Sequence, residues 1–387
     1  MPDFLPSDIQ LLSDQMGMLV AEQLRPLEEE LSPDPRVAIP DEIAQLVRQR
    51  SHAAGMWSLT QPVEFGGKAA GALAQTAVRE TLAAGHLRLA RYVFGPDPGV
   101  LASVVGDLKE QYLNPLLRGE KRGAFAFTEP SGIAEHKPTW AIWDGDDLLI
   151  SGRKSFVTGG GTADYYTVLI NVEGSEGSSR PSGPAMIVID RANAGVTIES
   201  EFHSLEGGSH VELSFDAARV PAWHLIGEVG EGMPRALGNI GHERLAVAAG
   251  MAGLSLWAVN LIDDRAKEIH RNGQRFGDRE GVRLRYADLR IATYAARSVL
   301  YRSARLVDDR GDGAINEVMV AKVFCTEQAG FVIDQAVQLA GGGALVVGHP
   351  LERAYREVRS SRFTGGASDI LRLNIARGRL EFDAGQV

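Results

Sequence analysis

The texture of this chain changes twice along its length, and those two changes constrain the fold more than any single motif. From about Pro6 to Glu120 apolar residues recur at helical spacing, as in SDIQLLSDQMGMLVAEQL, IPDEIAQLVRQRSHAAG and GALAQTAVRETLAAG. Near Gly123 the pattern becomes short strands separated by turn residues: GAFAFTEP, TWAIWDGDDLLISGRKSFVTGG, DYYTVLINVEG, GPAMIVID and HVELSFDAARVP. From about Trp223 helical periodicity returns and runs almost to Val387. Strands gathered in one block between two helical blocks predict an α+β fold with an N-terminal helical domain (1–122), a central β domain (123–222) and a C-terminal helical bundle (223–387). A chain of 387 residues with 44% hydrophobic content can bury the large core that such a plan needs.

Composition removes several functions. A net charge of −10 gives no general attraction to nucleic acid or to an anionic membrane surface. Cys325 is the only cysteine, which excludes an intramolecular disulfide and a thiolate metal site, and AKVFCTEQAG reads as a helix in which that Cys is a small core residue. The nine histidines show no metal-ligand spacing, so no metal is expected. The start, MPDFLPSDIQLLSDQ, lacks the basic and apolar regions of a signal peptide, and no stretch approaches twenty apolar residues, so a cytoplasmic protein is expected.

One carboxylate stands out. In PRALGNIGHERLAVAAGMAGLSLWAVNLIDDRAKEIH, Glu243 shares a helical stripe with Val247, Gly250, Leu254 and Trp257, which are apolar or small. Two readings are open. Glu243 could lie near the start of a shorter helix, favoured there by the dipole or paired with Arg244. Alternatively, a carboxylate on a buried face loses solvation, its pKa rises, and it can take a weakly acidic proton. The second reading is preferred.

Further motifs lie in the strands and at the C-terminal end. Phe125-Ala126-Phe127-Thr128-Glu129-Pro130, Phe156-Val157-Thr158 with Gly152 and Lys154 before it, Gln338 with Gly341 and Gly342, and SSRFTGGASDILRLNIAR occur in that order. The glycine run 341–343 follows a helical segment and lacks the third glycine at dinucleotide-fold spacing, which rejects a Rossmann site. Together with Gly55-Met56-Trp57 and Glu64-Phe65-Gly66-Gly67, these motifs resemble the acyl-CoA dehydrogenase family over nearly the whole chain.

The resemblance implies FAD at a subunit interface and α,β-dehydrogenation of an acyl-CoA or related acyl thioester. It also implies an electron-transfer flavoprotein as acceptor and a homodimer or homotetramer. Phe127 and Thr128 would run along one side of the flavin, Phe156 would cover the ring, and Thr158 would reach its reactive nitrogen. Gln338, Gly341 and Gly342 would meet the FAD of a neighbouring subunit, with Ala367 and Asp369 also at the cofactor. Arg244 would contact substrate. The family's common base is a Glu in the C-terminal signature, where this chain has Gly365. The isovaleryl-CoA and long-chain branches carry their base in a Glu-Arg-Leu context like Glu243-Arg244-Leu245, which makes Glu243 the catalytic candidate and suggests a substrate bulky near its α and β carbons.

Two departures matter. The usual pyrophosphate-binding Arg three residues before Phe-Gly is absent from Gly273-Gln274-Arg275-Phe276-Gly277, which leaves Arg271 or Arg275, with Phe276, for that contact. The segment SGIAEHKP is shorter than its counterpart and lacks Gly-Ser-Asp. The alternatives are a non-catalytic or half-site subunit of a heteromeric dehydrogenase, or a flavin oxidase or monooxygenase on the same fold.

Overall fold

The computed structural model describes residues 5–34, 37–68, 70–130, 137–174, 179–270 and 273–386. Two helical regions flank a central mixed β-sheet, the arrangement that the changes of texture predict. The N-terminal helices are α1 (Ser7–Met18), which continues through a π-helical turn into α2 (Arg25–Glu29), then α3 (Asp41–Ala53) and α4 (Ala72–Ala84). Two short helices, α5 (Gly106–Leu108) and α6 (Asn114–Leu117), precede the strands. After the strands come α7 (Gly232–Lys267), α8 (Glu280–Arg310), α9 (Ile315–Ala340), α10 (Pro350–Ser361) and α11 (Ser368–Phe382).

The chain forms two compact units, one of Met1–Gly95 with Gly241–Val387 and one of Pro96–Ile240. The second holds β1 (Gly123–Ala126), β2 (Trp140–Asp144), β3 (Asp147–Thr158), β4 (Tyr165–Val172), β5 (Gly183–Asp190), β6 (Val196–His203), β7 (Ser209–Pro221) and β8 (Leu225–Ile226). The sheet order is β6-β7-β3-β2-β4-β5-β8, and β1 pairs in parallel with β4. Alternating residues such as Ile150, Val168, Ile170, Ile187, Ile189 and Leu213 fill its core.

In the first unit an alanine-rich seam lets α4 approach α7, α8 and α9 closely: Ala77, Ala248, Ala252, Ala296 and Ala321 are all fully buried there. One polar knot sits in this unit. Glu80 of α4 is 3% exposed and accepts from Arg297 Nε at 2.6 Å, Arg297 Nη2 at 2.8 Å and Tyr301 Oη at 2.7 Å, all on α8. Cys325 is buried, with its thiol pushed up by desolvation, as expected of a core residue. One expectation needs correction: α7 is long and apolar enough, by length and composition, to cross a membrane. Of its most apolar stretch, 56% is buried inside the protein, which is how a long core helix satisfies such a run.

Candidate active site

The β unit ties the two predicted flavin-facing segments together. Ser155 N–H donates to the Thr128 carbonyl at 2.9 Å, which joins the end of β1 to β3. Lys154, 1% exposed, donates from Nζ to the Phe127 carbonyl at 3.1 Å and pairs with Glu129. Burial pushes this ammonium down, and Glu129 opposes the shift. The Glu129 carboxylate also accepts from the Thr139 backbone N–H at 3.2 Å and its hydroxyl at 3.3 Å. Gly152 is required by this geometry: its φ is +137°, and an added Cβ would stand 2.6 Å from Thr139 Cα.

Two register shifts in β3, at Ile150/Gly152 and Lys154/Val157, bend the strand here. Phe156 lies within the second, with a left-handed φ of +54° and 61% of its surface exposed. A left-handed backbone at a non-glycine residue costs roughly 1–3 kcal/mol and persists where the surroundings impose it, often at functional sites. Here it presents an open aromatic ring edge-on to Phe202, with centroids 5.2 Å apart. Thr128 and Thr158 are exposed, and Thr158 Oγ1 lies 3.1 Å from His210 Nδ1. Exposed hydroxyls beside an uncovered ring suit the polar edge and flat face of a flavin, so these residues fit FAD.

The helical unit holds the acid–base candidate, Glu243. Glu243 lies in the middle of α7's first half, not at a helix start, which removes the capping reading. Its side chain is open to water, yet surrounding protein desolvates it enough to raise the carboxyl above its usual range, against Arg244 and Lys322, which lower it. Arg244 is buried, and its Nε donates to the Gly365 carbonyl at 2.8 Å. The Nε of the guanidinium expected at the substrate is thus held by the turn that follows α10. Gly365 has φ +67°, and a Cβ there would meet Arg244 Cγ at 3.2 Å. The turn is shaped around the absence of a side chain and packs on Arg244, the residue after Glu243 on α7.

Sequence reasoning missed Lys322. It is fully buried on α9, and its Nζ donates to the Arg362 carbonyl at 2.9 Å and the Gly366 carbonyl at 2.7 Å. Burial, then Arg244, pushes its pKa down to about 8, while Glu243 and Glu327 hold it up. A signal was available: Lys322 interrupts the stripe Val318, Cys325, Ala329, Val332 and Ala336, all buried.

The remaining candidates are scattered over the surface of this unit. Gln338 and Gly341–Gly342 at the end of α9 are exposed, as a contact to a neighbouring subunit requires. Ala367 precedes α11, and Asp369 in its first turn is exposed near Arg372, at 3.7 Å. Arg275 is exposed, but the Phe276 ring is buried in the helical core, stacked on His270 with centroids 5.0 Å apart. A buried ring leaves the backbone of this segment, and the exposed Arg275, as its groups open to a cofactor. Arg271 and residues 131–136 of SGIAEHKP lie outside the described residues. Among the described residues no His, Cys, Asp and Glu group is placed to hold a metal.

Residues 124–218 match the acyl-CoA dehydrogenase middle domain, and residues 230–380 match the acyl-CoA dehydrogenase C-terminal domain. Acryloyl-CoA reductase (NADH) of Anaerotignum propionicum is 29% identical over 84% of this chain and 83% of its own length. The structure of butyryl-CoA dehydrogenase from Megasphaera elsdenii, at 23% identity, superposes with a TM-score of 0.80 over 98% of this chain and 100% of that one, which shows the fold. A short-chain-specific acyl-CoA dehydrogenase of Clostridium acetobutylicum is 30% identical over 69% of this chain and 71% of that protein, and with this extent of similarity the chain belongs to the acyl-CoA dehydrogenase family.

Proposed function

We propose that the protein is a FAD-dependent oxidoreductase that acts on the Cα–Cβ bond of an acyl-CoA or related acyl thioester, with Glu243 as the base. The observation that carries this reading is the position of Glu243 on α7 next to Arg244, whose side chain closes on a turn in which Gly365 cannot serve, with desolvation raising the Glu243 carboxyl. A carboxylate whose pKa is raised lies closer to that of a carbon acid, which lowers the free-energy difference for taking the α proton. Arg244 and Lys322 oppose the rise. Phe127, Thr128, Phe156 and Thr158 would hold the flavin ring, and Gln338, Gly341 and Gly342 would hold the FAD of a neighbouring subunit. FAD, when bound, supplies the acceptor for the β hydrogen as hydride.

A homodimer or homotetramer follows from this placement. Exposed apolar side chains support it: Leu284, Ile291 and Tyr294 on α8, Leu373 and Leu380 on α11, and Val346. An electron-transfer flavoprotein is the proposed electron acceptor. Gly365 leaves space around the reacting carbons, so a branched or otherwise bulky acyl group is the proposed preference.

A second reading runs the same chemistry in reverse, as a reductase of α,β-unsaturated thioesters, and the similarity to acryloyl-CoA reductase favours it. Glu243 would then donate its proton to Cα, and a raised pKa serves that role as well. Anaerobic mixing of the oxidised protein with a panel of acyl-CoA thioesters tests the reading, since bleaching of the flavin is expected. Absence of bound FAD in a folded oligomer, or indifference of oxidised and reduced flavin to every saturated and unsaturated thioester, would overturn it.

A further inference from the structure

Lys322 is buried without a neutral explanation for its charge. Its partners, the Arg362 and Gly366 carbonyls at the two ends of the turn between α10 and α11, are uncharged acceptors. Burying an ammonium costs several kcal/mol, and hydrogen bonds to neutral carbonyls offset that cost without neutralising the charge. The neighbouring Gly365 carbonyl is taken by Arg244, so two cations bind successive carbonyls of one turn. Glu243 precedes Arg244 on α7, and both cations pull its carboxyl back toward the ionised form.

We propose that Lys322 is a positioning residue for the Glu243 base: it closes the Arg362–Gly366 turn, whose Gly365 carbonyl holds the adjacent Arg244, and supplies positive charge to the carboxylate's surroundings. The inference rests on the reading of Glu243 as the base. The groups that bear on the pair are Glu243 and Arg244 from α7, and Glu327 on α9 itself. Glu327 is in turn held down by Arg372 of α11 and by Arg362 of the turn. With its pKa pushed down only to about 8, Lys322 keeps its charge at acidic and neutral pH.

The test is the pH dependence of anaerobic flavin reduction in the FAD-loaded oligomer. Removing an opposite charge of this kind shifts a carboxyl by about one pH unit or more. Lys322→Met should therefore move the acid limb of the profile to higher pH by about one unit, and Lys322→Arg should return it toward wild type. An acid limb in Lys322→Met that coincides with wild type overturns the proposal.

If the Met variant does not fold, the coupling can be read from the other side. With lysine labelled at Nζ, the Lys322 ammonium should titrate near 8 in the wild-type protein and lower in Glu243→Gln, because Glu243 holds it up. An unchanged titration overturns the proposal without any appeal to activity. Failure of the underlying reading looks different. Near-normal flavin reduction by Glu243→Gln removes the base and with it the role of Lys322, whereas a slow Glu243→Gln with an unmoved acid limb or titration refutes Lys322 alone.

Discussion

Gly365→Ala isolates the claim that the turn after α10 is built around a missing side chain. The backbone there has φ +67°, which costs a non-glycine residue roughly 1–2 kcal/mol. The new Cβ would also stand 3.2 Å from Arg244 Cγ. Arg244 cannot swing away freely, because its Nε is bonded to the Gly365 carbonyl and the side chain is buried. Together these give a loss of about 2 kcal/mol, up to a 30-fold change in the folding equilibrium. Urea unfolding of the FAD-loaded protein measures it, with Gly281→Ala as the control. Gly281 lies in α8 with nothing within 4 Å of an added Cβ, so that variant should gain roughly 0.5–1 kcal/mol. A Gly365→Ala protein as stable as the control would refute the reasoning. So would a Glu243→Gly/Gly365→Glu double variant with wild-type activity, since it would show that the turn accepts the common base.

Three further outcomes follow from the same geometry. Glu80→Ala should cost about 3–5 kcal/mol, because it leaves Arg297 buried with Tyr301 and no carboxylate, and thermal unfolding reads this directly. Gly152→Ala should lower FAD content as well as stability, since its Cβ would strike the Thr139 backbone at 2.6 Å and displace the strand that carries Phe156; flavin absorbance per chain measures the effect. For Glu243→Gln the sign depends on pH. The native carboxyl is raised, so the folded chain binds that proton more tightly than the unfolded chain, and stability falls as pH rises through the interval between the two values. The Gln variant should therefore gain in Tm over wild type at neutral pH and lose that gain below the ordinary carboxylate range, near pH ~4.

The three-part architecture was legible because each part has its own period, helical spacing in one and alternation in the other. Glu243 could be singled out for the same reason, as a charge on an apolar stripe, although its side chain is exposed and not on a buried face. Lys322 stands out by that rule too, but a lysine in a helix ordinarily reads as solvent-facing, and its partners are backbone carbonyls that leave no trace in side-chain pattern. The strained turn at Phe156 was hidden because nothing in Ser155-Phe156-Val157 demands a positive φ; the bulge against β7 imposes it. The burial of Phe276 was hidden too: Arg-Phe-Gly marks the segment, whereas the packing of His270, Arg265 and Arg279 around the ring decides where it points.

The central claim is that Glu243 is the acid–base group of a flavin-dependent reaction at the α carbon. Single-turnover flavin reduction under anaerobic conditions, comparing wild type with Glu243→Gln on the thioester that bleaches wild type fastest, tests it most directly. Equal FAD content with reduction slowed by about 10²–10⁴-fold is the predicted result. Reduction by the Gln variant at a near-normal rate would contradict the account.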